Sequence, residues 1–268
     1  MPHELKLIKS TEEFRLLEPV WNDLLSQSPS NNFFLTWEWL WNWWQVYARP
    51  GDKLSIFVID KENEISAIAP FYVRKRRLHG IYPVRRMMFL GTQEEGDGDV
   101  GSDYMDIIYR DGEEKSFIHA FFAAIAEYDM CDEIYFSKID VSARTYDLIR
   151  NESAGLRFLS LIANEYVSPY IQLPSTWDDY LKSLSSSMRW NIRNEQRKLQ
   201  NCPHVVFRKT SDPVELVQDF DELVKLHENR WSSNGIEGAF SNEKFTLFHK
   251  NIMKCISKRE LVLFSISF

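Results

Sequence analysis

The sequence predicts a mixed α/β fold made of two related units, residues 1–165 and 166–268, each a mixed sheet with flanking helices. Three observations carry that expectation. Between Leu54 and Tyr109 apolar residues follow a strand-like pattern, and beyond Glu113 helical and strand segments alternate. The order of these signals in the first unit returns in the second. Finally, 268 residues with 44% apolar and 14% aromatic content suffice for one large or two ordinary domains with full cores.

The chain opens with a short strand from Glu4, followed by helices. Thr11-Glu12-Glu13 starts the first, and Phe14, Leu17, Trp21, Leu24 and Leu25 fall on one face. Thr36 is placed to cap the next, in which Trp37, Leu40, Trp41 and Trp44 recur at helical spacing. Such an aromatic stripe reads either as a core helix or as a platform for stacking sugars. Strands are expected at Leu54–Ile59, Ile65–Val73, Val84–Leu90 and Tyr104–Tyr109, forming an antiparallel meander. After them come a helix at Glu113–Tyr128, a strand at Glu133–Phe136, a helix at Ala143–Asn151 and a strand near Arg157–Ile162.

Ser168-Pro169 and Pro174-Ser175-Thr176 punctuate the chain before the second unit. Ser175 or Thr176 caps a helix from Trp177, and its face of Leu181, Leu184, Met188, Ile192 and Leu199 is expected to be buried. A strand at Val205–Lys209 follows. The next helix, Pro213–Trp231, carries Val217, Phe220, Val224, His227 and Trp231 on one stripe. The repeat then becomes visible. Trp21, Phe33-Phe34, a helix and the strand Leu54–Ile59 are matched in order by Trp231, Ala239-Phe240, the helix Asn242–Ile256 and the strand Leu261–Ile266. Phe34 precedes Leu54 by 20 residues and Phe240 precedes Leu261 by 21. On this alignment the second unit is expected to be incomplete, lacking roughly 100 residues of an ordinary domain.

The net charge of −7 is uneven: residues 1–165 hold 18 Lys/Arg against 27 Asp/Glu, and residues 166–268 hold 14 against 12. No broad basic footprint of a nucleic-acid binder is present. Cys131, Cys202 and Cys255 show no metal-ligand spacing, so they read as incidental thiols in a reducing compartment, and no metal site is expected. The N-terminus has no signal pattern, and the longest apolar helical run, Phe117–Ile125, is too short for a bilayer. A cytoplasmic protein is expected. The run Arg74-Lys75-Arg76-Arg77 with Arg85-Arg86 reads as a solvated turn, or as a peripheral contact with an anionic membrane or polymer.

Several patches together resemble one family. They are Phe33-Phe34-Leu35-Thr36-Trp37-Glu38-Trp39-Leu40 with Trp43-Trp44; Ile68-Ala69-Pro70-Phe71-Tyr72; Phe89-Leu90-Gly91 with Ser102-Asp103-Tyr104-Met105-Asp106; and Ser168-Pro169-Tyr170-Ile171-Gln172-Leu173-Pro174 with Trp177 and Tyr180-Leu181. Arg189-Trp190-Asn191-Ile192-Arg193 with Arg197, and Leu226-His227-Glu228-Asn229-Arg230-Trp231 with Gly235, Gly238 and Phe240, complete the set. In this order they are similar to the CelD/BcsL-type acyltransferases of bacterial cellulose and exopolysaccharide clusters, a GNAT-superfamily branch with a FemAB-like tandem arrangement. The resemblance implies tandem GNAT-like units and acyl transfer from acetyl-CoA or another acyl-CoA to an amine or hydroxyl. The acceptor it implies is a cell-surface polysaccharide or a nucleotide- or lipid-linked sugar precursor. Aminoacyl transfer to a peptidoglycan precursor, and an inactive fragment or scaffold without the CoA site, stand as alternatives.

Such transfer needs donors for the carbonyl oxygen, a cradle for pyrophosphate and a base for the nucleophile. Gln93-Glu94-Glu95-Gly96-Asp97-Gly98 fits the letters of a GNAT CoA loop, but its carboxylates repel a pyrophosphate, so it reads as a solvated loop. Asp97, Asp99 and Asp103 miss the spacing of an EF-hand calcium loop. Arg189, Arg193 and Arg197 recur every four residues on one helix flank, either a solvated face or an anion contact. His227 is either a packed core histidine or a general base, with Trp231 beside it, and the resemblance implies a histidine there. Asp103, Tyr104 and Asp106 are expected at a strand start, a common place for site residues, with Asp103 also explicable as a cap and Tyr104 as a packed ring or the donor of a proton to a leaving thiolate.

Overall fold

The computed structural model describes residues 4–61, 64–93, 99–155, 158–162, 166–202, 204–233, 235–256 and 262–267. The first strand, β1 (Glu4–Ile8), leads to α1 (Thr11–Leu16), whose start is fixed by a reciprocal capping box between Ser10 and Glu13. Pro19 then restarts the chain as α2 (Glu18–Ser26). A 3-10 turn at Phe33–Leu35 precedes α3 (Trp37–Tyr47). Thr36 occupies the cap position of α3, yet its hydroxyl donates to the Phe33 carbonyl, and the Trp37 N–H is instead accepted by Asn22 Oδ1 of α2 at 3.1 Å. The cap is therefore supplied across the structure and not from within the helix.

Four antiparallel strands follow the order β1, β2 (Lys53–Lys61), β3 (Glu64–Leu78) and β4 (Tyr82–Phe89). The short β5 (Ile108–Tyr109) pairs with Ala67 and Ile68 of β3, while β4 pairs with β3 from Phe71 onward. Pro70 stands between these two partners. Its carbonyl accepts from Leu90, and a strand residue's N and O face the same edge, so the missing N–H falls in the gap and costs no ladder bond. A crossover through α4 (Glu114–Tyr128) returns the chain as β6 (Glu133–Tyr135), parallel to β4, and α5 (Arg144–Gly155) packs on α4.

Both faces of this sheet are covered, which explains why Leu54–Ile59 and Ala67–Val73 are buried without alternation. Phe57, Phe71 and Phe89 meet Phe121 of α4 and Phe136 on one side. Tyr72 meets Trp43 and Trp44 of α3 on the other. At the end of α3 the Arg74 guanidinium grips Asp52 with Nε at 3.0 Å and Nη2 at 2.6 Å, and also donates to the Tyr47 carbonyl. Each side chain of this pair is 3% exposed, so the pair is a buried clamp on the turn that joins α3 to β2.

The second half holds α6 (Trp177–Ser183), α7 (Ser186–Gln200), β7 (Val206–Thr210), α8 (Pro213–Ser232), a 3-10 turn at Ala239–Ser241, α9 (Glu243–Ile256) and β8 (Leu263–Ser267). β7 and β8 form an antiparallel pair, tied to α8 by an Arg208–Asp219 ion pair. Leu216 and Phe220 of α8 pack with Met253 of α9 in a small core. The two halves meet where α9 lies on α3: Phe248 packs edge-on against Trp39 at 4.7 Å, and buried Asn42 Nδ2 donates to the Phe248 carbonyl at 2.9 Å.

Four expectations change. The helix expected from Trp177 breaks at Leu184, which is extended, because Ser185 Oγ caps a new helix by accepting the Met188 N–H. Of its expected buried face only Leu181 is buried. The strand expected at Tyr104–Tyr109 shrinks to Ile108–Tyr109, since Tyr104 adopts a left-handed backbone (φ 55°) that no strand accommodates. Residues 158–162 are irregular; Phe158 packs on Phe122, but residues 159–162 are exposed, with Leu159 almost fully in solvent, and Arg157 lies outside the described residues. Lastly, the expected repeat keeps its match of Phe33-Phe34 with Ala239-Phe240 but shifts upstream of it. Ala239 and Glu243 each follow their counterparts Phe33 and Trp37 by 206 residues, and at that offset Trp21 corresponds to His227, not to Trp231.

Among the described residues no helix is long and apolar enough to cross a membrane. The aromatic helix α3 is a core helix, since Trp37, Trp39, Leu40, Trp43, Trp44 and Tyr47 are all buried. Removing one partner of a buried ion pair strands the other charge, so Arg74→Met is expected to cost about 3 kcal/mol or more in equilibrium denaturation. Adding Asp52→Leu should recover most of that loss. A single-variant cost below ~1 kcal/mol would show the clamp to be dispensable.

Candidate functional site

The best-formed polar group outside the cores lies where α8, the second 3-10 turn and α9 converge. Packing of the turn onto α8 depends on Gly238: a Cβ there would stand 2.5 Å from Glu228 Oε1 and 2.7 Å from His227 Cε1. Only glycine permits that approach. His227 is thereby held between the Gly238 backbone, the edge of Phe240 at 4.9 Å and Trp231 at 5.9 Å. Its Nδ1 lies 3.3 Å from Glu228 Oε1, with the two side chains 25% and 33% exposed. A carboxylate only accepts, so in the neutral form of the ring this contact places the proton on Nδ1 and leaves the lone pair on Nε2.

A second histidine stands behind it. His249 of α9 donates from Nδ1 to the Phe245 carbonyl at 2.8 Å and packs on the Phe245 ring at 4.1 Å. Burial holds its pKa below the ordinary histidine value, against the opposing effect of the carbonyl bond, so the ring is neutral with Nε2 unprotonated. Ring contacts then run continuously from Phe33 through Trp39, His249 and Phe240 to His227 and Trp231, linking the first half to the second. The periodicity of α8 places His227 on an apolar stripe, but His249 and the role of Glu228 carry no such signal. The 206-residue register is what could have found them, because it sets His227 and His249 opposite Trp21 and Trp43.

The arginine stripe divides. Arg189 Nη1 donates to the carbonyls of Lys182 and Leu184 at 2.9 Å and of Leu181 at 3.4 Å, closing the C-terminal end of α6. Arg193 and Arg197 are exposed on α7 and make no ion pair among the described residues. These two remain available to an anion. Asp103 and Tyr104 belong to the first half: Asp103 shares Lys138 with Asp99, and the Tyr104 carbonyl accepts from Asn32. No hydrogen bond, ion pair or ring contact joins either to His227 among the described residues. Glu94 to Gly98, and with them most of the CoA-loop match and Asp97, lie outside the described residues. Among those described, no cluster of three or more metal-ligating side chains occurs.

Asp106 is the buried carboxyl of the first half. Its Oδ1 accepts the Ile107 N–H at 2.7 Å. Burial raises its pKa to about 6, Asp140 adds to the rise, and the Ile107 N–H and the Thr145 hydroxyl oppose it. It has no contact with the His227 group, so it reads as a structural residue.

Compared with family models, with curated proteins and with solved structures, the chain matches none. The functional reading therefore rests on the residues and their geometry.

Because folding raises the Asp106 pKa, the native state holds this proton more tightly than the unfolded chain. Its contribution to stability is present at low pH and is lost as pH rises through about 6. Asp106→Asn retains the acceptor and removes the charge, so it should stabilise the protein by about 3 kcal/mol at pH 8 and by little at pH 4. Thermal melts of both proteins across that range measure the difference, and a gap that does not change with pH would contradict it.

Proposed function

We propose that the chain is an acyltransferase of the kind its sequence resembles, moving an acetyl or other acyl group from acyl-CoA to an amine or hydroxyl of a cell-surface polysaccharide or its precursor. The observation that carries this reading is the His227–Glu228 pair, a partly open imidazole oriented by a carboxylate and walled by Trp231, Phe240 and the Gly238 backbone. A base held by a third group is what activation of a weak nucleophile requires. Two features of the fold support it. Four antiparallel strands followed, through a helix, by a strand parallel to the fourth agree with a GNAT-like first unit. The recurrence of a 3-10 turn and helix at constant offset agrees with a tandem arrangement.

In this reading His227 Nε2 takes the proton as the acceptor nitrogen or oxygen attacks the thioester carbonyl carbon. The C–S bond then breaks, the acyl group stays on the acceptor, and the CoA thiolate recovers a proton from the imidazolium. Arg193 and Arg197 suit the phosphates of CoA or of a nucleotide- or lipid-linked sugar, because their forks match phosphate oxygens. The N-terminus of α4 does not suit a pyrophosphate, since Glu113 and Glu114 stand there. Donor binding is therefore assigned to the second half, and Asp103 and Tyr104 have no step in this scheme.

Titration calorimetry with acetyl-CoA, combined with thiol release in the presence of amine- and hydroxyl-bearing sugars, tests the reading. His227→Gln should lower kcat about a hundredfold or more while leaving acetyl-CoA affinity unchanged. Arg193→Glu should weaken the phosphate-bearing substrate. A protein that neither binds acetyl-CoA nor releases thiol would sink the proposal.

A further inference from the structure

The β3–β4 hairpin extends beyond the sheet that carries it. Pairing of β2 with β3 ends at Val73, and the chain entering β6 covers β4 only from Arg85, where the Asp132 N–H donates to the Arg85 carbonyl, so residues 75–84 form a two-stranded ribbon supported by its own ladder. Its turn is tight: His79 and Gly80 are both left-handed (φ 50° and 73°), and the Ile81 N–H closes on the Leu78 carbonyl. This puts three large apolar side chains at the tip. Leu78 is 40% exposed, Ile81 68% and Tyr82 65%, with Leu78 and Tyr82 directly opposite each other. Such a cluster on a projecting tip has no role in the core and marks a contact surface.

The flanks are cationic. Residues 74–86 contain six Arg or Lys and no Asp or Glu, in a chain whose net charge is −7. Four of the six are engaged at the base: Arg74 by Asp52, Arg85 by Asp129 and Asp132, and Arg76 and Arg86 by Glu133. Lys75 and Arg77 are exposed and make no ion pair among the described residues. An apolar tip behind a cationic collar matches a layered partner, acidic headgroups outside and acyl chains beneath. A soluble polyanion would use the collar but has nothing for Leu78 and Ile81.

We propose that this ribbon docks the protein on an anionic phospholipid surface, with Leu78, Ile81 and Tyr82 entering the headgroup–acyl boundary and Lys75 and Arg77 pairing with headgroup phosphates. The proposal is independent of the acyl-transfer reading. Flotation of the whole chain with phosphatidylcholine vesicles, with and without about 30% phosphatidylglycerol, tests it. The protein should float with the anionic vesicles and sediment with the neutral ones. Ile81→Asp, and separately Lys75→Glu with Arg77→Glu, should each cut the bound fraction roughly tenfold. Thermal melts of these variants should match the parent, since all three positions are exposed. No flotation of the parent protein, or flotation unaffected by Ile81→Asp, overturns the proposal. So does retention on a soluble polyanion that Ile81→Asp leaves intact while vesicles are ignored.

Discussion

Helix α3 is the constraint around which the molecule is arranged. A helix apolar over most of its surface must be enclosed over most of it, and only Gln45 of α3 is exposed. The sheet supplies one wall through Tyr72, α1 and α2 supply another through Phe14 and Thr11, and α9 supplies the last through Phe248. Asn42 is its buried polar side chain, and its amide donates to a carbonyl on α9. Docking of the second half is thus bound to the stability of the first, and the Arg74–Asp52 clamp at the end of α3 fixes the direction in which the helix leaves the sheet.

That enclosure also sets where the two histidines lie. Trp39 faces α9, so the ring contacts that end at His227 and Trp231 begin in the first core. The histidines lie at the border between halves, with one side against aromatic rings and another toward solvent. Charged side chains elsewhere are largely engaged in support: Arg189 closes a helix end, Lys138 gathers two aspartates, and Arg85 ties β4 to the chain leaving α4. Charge alone is a poor guide to function in this chain, whereas charge without a local partner, as at Arg193, is more informative.

Much of this was legible in the residues. The strands β2 and β3 announce themselves through long β-branched and aromatic runs, and α3 through aromatic spacing that a strand cannot use. What escaped depends on partners that carry no residue-type signature. Arg189 fits a stripe as well as Arg193 does, and only the carbonyls of α6 distinguish them. The helix break at Leu184 hides in a serine run, where each residue can cap or continue. Tyr104 looks like a strand residue because nothing in its neighbours requires a left-handed backbone. At the site, His227 stood out by its type, but its orientation follows from a glycine eleven residues later that brings one turn against another helix.

The 206-residue offset gives the contact between halves a further meaning. Asn42 and Phe248 are counterparts at that offset, and they touch each other. In a symmetric dimer only residues on the two-fold axis meet their own copies. Were the two helices copies of one, this contact would mark the axis relating them, with an asparagine and a phenylalanine where a homodimer places the same residue twice. Because the two residues differ, the contact has a defined donor side and a defined acceptor side, and α3 and α9 cannot exchange roles in it.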